Sequence, residues 1–246
     1  MFKTFPAAGL TAVCLAFAAT GAQATSVTGG SMTSAEADQM AAWLGGGDYA
    51  FDSLWTGTAG VSTAASFHAA VDGAGATVAI VTATLYDGST GRFGGYTTID
   101  WGSAAGYYAD ADAFLFNFIT GERQEALTRP SSAVYVRSNR FTTFGSGNDL
   151  FVGVETLGEY PSVNAAAADG YTYSYAYDTT QGQIALGGDS GNGWGDSGYN
   201  ANAWSIQSLD VYSVSAASET PSVPLPAAAP LLVAGLGGLA LLRRRR

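Results

Sequence analysis

The chain of 246 residues carries 20 acidic residues against 10 Lys and Arg, with a single histidine and a single cysteine. Its hydrophobic fraction of 47% and aromatic fraction of 12% exclude a disordered polar chain. The two single counts exclude histidine-cluster metal sites, H-E-x-x-H zinc sites and a disulfide framework.

In chain order, residues 1–24 come first. Lys3 precedes an apolar run from about Ala7 to Ala19, and Ala22-Gln23-Ala24 closes it with a small-x-small cleavage pattern. This order reads as a secretory signal peptide. Cys14 lies inside it, so the mature chain would hold no thiol. Residues 25–222 contain all the acidic residues but only five arginines and no lysine, so five positive charges stand against twenty negative, a net of −15. Such a surface repels phosphate backbones, which argues against nucleic acid as a partner.

Two helices are predicted early. "MTSAEADQMAAWLGGG" starts with Ser34 as N-cap, places Glu36 and Asp38 in the first turn and stops at Gly45. "GVSTAASFHAAVDGAG" starts with Ser62 as N-cap and ends near Gly73. Seven strand-like runs follow: "TVAIVTATLYD", "FGGYTTIDW", "DAFLFNFI", "SAVYVRSN", "DLFVGVE", "YTYSYAY" and "SIQSLDVYSV". The expected fold is α+β and mainly β, with two antiparallel sheets packed as a sandwich and a few short flanking helices. Within "FGGYTTIDW", alternation puts Tyr96, Thr98 and Asp100 on one face and Gly95, Thr97, Ile99 and Trp101 on the other. The Gly94-Gly95 pair points to a bulge or a close backbone approach, not a phosphate cradle, because no lysine follows it. Asp110 and Asp112 read as turn and strand-start residues.

Three further patterns carry candidate chemistry, each beside a structural alternative. His68 in "SFHAAVD" reads as a hydrogen-bonded structural residue, with acid–base catalysis as the alternative. Tyr171, Tyr173, Tyr175 and Tyr177 alternate onto one face, which either packs inside the fold or stacks on sugar rings as a ligand-binding face. The Gly-rich loop with Asp189, Asn192 and Asp196, extended by Asn200 and Asn202, offers oxygen ligands suited to Ca²⁺, although its spacing is not that of an EF-hand. A solvated loop is the alternative, and no other cofactor is expected.

"SETPSVPLP", residues 218–226, reads as a linker running into the tail. Residues 227–246 hold a sixteen-residue apolar run, Ala227 to Leu242, and the cluster Arg243 to Arg246. Short for a span, the run is held with its arginines on the cytoplasmic side by the positive-inside rule. The order "VPLPAAAP", short Gly/Leu helix, arginine cluster resembles a C-terminal sorting tail of the PEP-CTERM type, VPLPA variant. That resemblance implies recognition and removal by an exosortase-like membrane protease and transfer of the body to the cell surface or extracellular matrix.

The body, residues 25–217, carries a second resemblance. Phe67-His68 with Asp72, Ala76-Thr77, Phe93-Gly94-Gly95-Tyr96, Trp101 and Asp112-Ala113-Phe114-Leu115-Phe116 occur in that order. Phe144-Gly145 with Asn148-Asp149-Leu150 and a closing Asp210-Val211-Tyr212 follow. This order resembles the TLDc domain family, the module of oxidation-resistance proteins, over roughly residues 33–214. Asp210 stands where the family commonly has a glutamate, and residues 158–203 fit less well. The resemblance implies the two-sheet sandwich, no agreed catalytic residues and a link to protection from oxidative damage. The expected function is therefore an exported, surface-sorted, non-catalytic binding module. A carbohydrate- or matrix-binding protein, with surface polysaccharide as partner, is the first alternative; a hydrolytic or antioxidant enzyme is the second.

Overall fold

A computed structural model describes residues 25–85, 88–127, 129–146, 149–159, 169–172, 177 and 204–217. The chain starts with β1 (Ser26–Thr28), α1 (Ser34–Trp43), β2 (Tyr49–Thr58) and α2 (Ala64–Val71). It continues through β3 (Thr77–Leu85), β4 (Thr90–Thr97), β5 (Gly106–Tyr108), β6 (Phe114–Asn117) and β7 (Glu122–Glu125). After a 3-10 turn at Pro130–Ser132 come β8 (Val134–Val136), β9 (Thr143–Phe144), β10 (Leu150–Phe151), β11 (Gly153–Val154) and β12 (Thr156–Leu157). β13 (Asp169–Thr172) and β14 (Trp204–Ala216) close the described part. The described residues are thus mainly β, in two sheets with two short helices, and no helix among them is long and apolar enough to cross a membrane.

The large sheet runs β5-β8-β9-β10-β13-β14-β3-β4-β6-β7, with β2 also on β14 and β1 on β2; β11 and β12 pair separately. Its pairings are antiparallel except that of β1 with β2. β14 is the spine. Its 13 residues pair with β3 on one side and β2 on the other, and Gln207 falls at a register shift against β3.

β3 explains why its sequence is an almost unbroken apolar run. Successive side chains point to opposite faces, and both faces are covered. Ala79, Val81 and Ala83 join a core with Phe67 and Val71 of α2 and with Val134, Val136, Phe144 and Leu150 of β8–β10. Val78 and Ile80 face the other way and join Ala37 and Met40 of α1 with Phe51, Phe116 and Tyr212.

α1 begins one residue earlier, and α2 one residue later, than the predicted caps imply. Thr33, not Ser34, caps α1, because Thr33 and Glu36 have the three-residue spacing of a capping box: Thr33 Oγ1 accepts from Glu36 N, and Glu36 accepts from Thr33 N. Thr63, not Ser62, caps α2 through Ser66 N, while the Ser62 hydroxyl accepts from Thr58 N. Gly45, at φ +104°, follows the end of α1 as expected, in a conformation favourable to glycine.

Predicted strand limits also change. β4 stops at Thr97, so Asp100 and Trp101 are not part of its alternation. The cause is a competing acceptor: the Thr97 hydroxyl (2.6 Å) and Thr98 N–H (2.7 Å) both donate to the Asp110 carboxylate, drawing the chain out of the ladder. "DLFVGVE" is split into β10 and β11, with Val152 outside both and Gly153, at φ +136°, opening β11. Gly94 and Gly95 are sites of close approach: a Cβ on Gly94 would overlap the Ala79 carbonyl oxygen, and one on Gly95 would lie 2.5 Å from the Phe144 ring.

Candidate functional site

α2 sets the first polar centre. Phe67 is fully buried and packs edge-on against Trp55 and Trp101, which fixes the helix rotation and turns the next residue, His68, to the rim of the core. One turn later, Asp72 meets it: His68 Nδ1 lies 2.7 Å from Asp72 Oδ1. His68 Nε2 lies 3.0 Å from the carbonyl oxygens of both Arg137 and Arg140. Carbonyl oxygens only accept, so Nε2 carries the hydrogen and donates it to the turn between these arginines. Arg140 N closes that turn on Arg137 O at 3.0 Å.

Asp100 supports the same corner. Its carboxylate accepts the N–H groups of Gly73, Gly75 and Gly102. Burial acts to raise its pKa, but the three backbone donors outweigh it and hold the carboxyl below the ordinary aspartate value. Next to it, Trp101 donates through Nε1 to Thr77 Oγ1 at 2.9 Å.

The turn held by His68 carries two arginines onto an aromatic surface. Val134 and Val136 of β8 face the core, so Tyr135 and Arg137 lie on the opposite face of the strand, where Tyr135 is buried at 9% exposure and Arg137 is exposed. Tyr107 of edge strand β5 sits directly opposite Tyr135, and their rings stack at 4.4 Å and 28°. Tyr107 stays 51% exposed. The guanidinium groups of Arg140 and Arg137 lie 5.0 Å and 5.4 Å from the Tyr135 ring centre. Among the described residues no carboxylate lies within ion-pair reach of Arg137. This Tyr–Arg surface was not among the sequence candidates; the Val-Tyr-Val-Arg alternation of "SAVYVRSN" was its only sequence signal.

A second polar centre lies across β14. Buried Asp210 accepts from the hydroxyls of Ser31 and Thr56, the latter at 2.6 Å. Arg92 of β4 forks onto Glu36, with Nε to Oε1 at 2.6 Å and a terminal nitrogen to Oε2 at 2.9 Å. It also donates to Thr82 Oγ1 and Ser31 O. Burial acts to raise the Glu36 pKa, but the bonds from Arg92 and Thr33 prevail and lower it. Tyr212 accepts from Met32 N at 2.7 Å; burial, with Asp210 beside it, raises its phenol pKa against the bonds from Met32 and Ser31.

The remaining sequence candidates fall as follows. Asp110 is buried and accepts from Thr97, Thr98 and the N–H of Asp112, as a turn residue does; Asp112 is exposed at the turn before β6. Phe114 is buried beneath the Arg123 guanidinium. Asp149 is buried, accepts from Tyr177 N at 2.7 Å and fills the space that a side chain on Gly145 would need; Gly145 itself has φ +78°. Tyr177 corrects the sugar-stacking alternative at its position: it is 1% exposed, packs on Phe144 and donates to Ala133 O at 2.8 Å. Burial, then the charges of Asp149 and Asp110, push its phenol well above the ordinary value. Tyr171 lies in β13, whereas Tyr173, Tyr175 and the loop residues Asp189, Asn192 and Asp196 lie outside the described residues. No group of three or more potential metal ligands occurs among the described residues.

The chain matches no family model, and no curated protein is significantly similar to it.

Proposed function

We propose that this chain is an exported, surface-sorted binding module of TLDc type, its two sheets packed as a sandwich, that acts without catalysing a reaction. The observation that supports the reading is the engagement of His68. The only histidine directs one ring nitrogen at Asp72 and the other at two backbone carbonyls, and no hydroxyl partner accompanies it among the described residues. A general base needs its acceptor nitrogen facing a nucleophile or a water, which this geometry does not provide. Gly94, Gly95, Trp101, Gly145 and Asp149 likewise serve chain packing and backbone hydrogen bonding. In this reading the tail of residues 227–246 is recognised by an exosortase-like membrane protease, and the body is passed to the cell surface. A role in oxidative-stress resistance would then come through binding.

A His68→Gln variant tests the absence of catalysis, because an amide can still donate to a carbonyl but does not shuttle protons. Cells expressing it should survive peroxide as well as cells expressing the parent chain. Loss of protection with an unchanged melting temperature would establish His68 as a reacting group and overturn the proposal.

A further inference from the structure

We propose that Tyr107, Tyr135, Arg137 and Arg140 form a binding site for a uronate-bearing polysaccharide. The inference rests on the binding-module reading and gives that module a ligand class. Four observations carry it. Tyr107 is half-exposed and stacked on Tyr135, so its outer surface provides a flat apolar ledge with a polar tip. The C–H face of a pyranose ring matches such a ledge. Arg137 is exposed and lies over Tyr135, and a guanidinium fork pairs in a bidentate way with a single carboxylate.

The third observation is charge. Residues 25–222 hold only five arginines against twenty acidic residues, and two of the five lie on this one surface. A densely charged polyanion, with about one charge per 1.7 Å as in duplex DNA, would meet repulsion from the surrounding body. A sugar chain with one carboxylate per ring meets less of it while still offering a partner for the exposed Arg137 guanidinium. Fourth, the turn is fixed from behind. His68 binds the carbonyls of Arg137 and Arg140, and Asp72 orients His68, so the arginine backbone is ordered before any ligand arrives.

The test is affinity electrophoresis of the full chain in mild detergent, through gels containing polygalacturonate or neutral dextran. Polygalacturonate should retard the parent chain and dextran should not. Retardation should weaken as added salt shortens the screening length from about 30 Å to about 8 Å. Arg137→Gln should melt like the parent and Tyr107→Ala a few degrees below it, because the latter loses the stack on Tyr135 yet stays folded, while each weakens binding by about tenfold. Equal retardation in both gels, none in polygalacturonate, or folded variants retained like the parent would each overturn the site. The length of the recovered polygalacturonate separates the two readings. Shortening, together with variant-sensitive retention, would support the site and defeat the non-catalytic reading. Unshortened polymer with variant-insensitive retention would defeat the site alone.

Discussion

Replacing Glu36 with glutamine should destabilise the fold by an amount that disappears in acid. Glu36 receives a two-point fork from Arg92 at 2.6 and 2.9 Å and closes the α1 capping box at Thr33 N, 2.8 Å away. Its side chain is 13% exposed and that of Arg92 17%, so the pair is neither a solvated surface bridge nor a fully buried one. Charge-assisted bonds contribute about 1.5–3 kcal/mol each when shielded, and exposed ion pairs about 0–1 kcal/mol. Arg92 keeps Thr82 Oγ1 and Ser31 O as acceptors in the variant, which softens the loss. A net cost of about 2 kcal/mol follows, or roughly 4–8 °C in melting temperature for a domain of this size. The sign with pH is fixed by the direction of the shift. The folded pKa of Glu36 is depressed, so its contribution is complete above the unfolded value of about 4.3 and is lost as pH falls through the folded value. Urea unfolding of parent and Glu36→Gln between neutral pH and about pH 3 should show a gap that is largest at neutral pH and closes below about pH 4. Asp100 and the other carboxylates are common to both chains and cancel. A gap of constant size across the range would refute the assignment of the stabilisation to the ionised carboxylate.

Gly94→Ala should cost about 3 kcal/mol or more, and Gly95→Ala about 1–3 kcal/mol. The Ala79 carbonyl facing Gly94 belongs to a strand paired on both sides, whereas the Phe144 ring facing Gly95 can turn; urea midpoints that reverse this ranking would contradict the packing. Tyr177→Phe should cost only about 0.5–1.5 kcal/mol, because Ala133 O keeps the N–H of Gly145 when the phenol is removed. Asp149→Ala should cost more, about 1–3 kcal/mol or above, because it takes the acceptor from buried Tyr177 N; thermal melts of the two variants check the order. Surface-released protein should lack Arg243 to Arg246, because a helix over Ala227 to Leu242 would rise only about 24 Å. Mass spectrometry finding C-terminal peptides that end in Arg246 would make the tail a simple anchor.

What the sequence disclosed was what neighbouring residues decide. The helix over 34–43 is legible from its acidic first turn and the stop at Gly45, although its cap is Thr33 and not the expected Ser34; β3 and β14 follow from runs of β-branched and apolar residues. β2 escaped notice because "YAFDSLWTGT" mixes aspartate, serine and glycine into its pattern. It becomes a strand through its long ladder with β14, whose paired residues lie 150 or more positions away. The fork between Arg92 and Glu36 and the stack of Tyr107 on Tyr135 are equally non-local, and no spacing rule announces them. The end of β4 was misread for a related reason: Asp110 captures Thr97 and Thr98, and that competition is invisible until the two segments meet.

The way the arginines are held bears on where a ligand can act. Arg92 and Arg123 are matched by Glu36 and Glu125, so their charges are largely cancelled where they stand. Arg137 lies on a tyrosine ring instead, and a ring quadrupole attracts a cation without neutralising it. The charge of Arg137 therefore remains available to an incoming anion, on a body whose other surfaces repel anions. His68 sits behind this turn and not in front of it, bonded to the carbonyls while the side chains of Arg137 and Arg140 extend to Tyr135. Histidine suits the position because one flat ring spans from a carboxylate on its own helix to two carbonyls on another segment. His68→Leu should fill much of the same volume, yet remove the side-chain donor shared by the two carbonyls, leave Arg137 O with only the N–H of Arg140, and loosen the turn. Polygalacturonate retention should then fall in His68→Leu, although the residue touches no ligand, and recover in His68→Gln, which restores an N–H donor. Equal retention by His68→Leu and the parent would show that the turn holds its shape without the histidine, and the link from core to surface would be wrong.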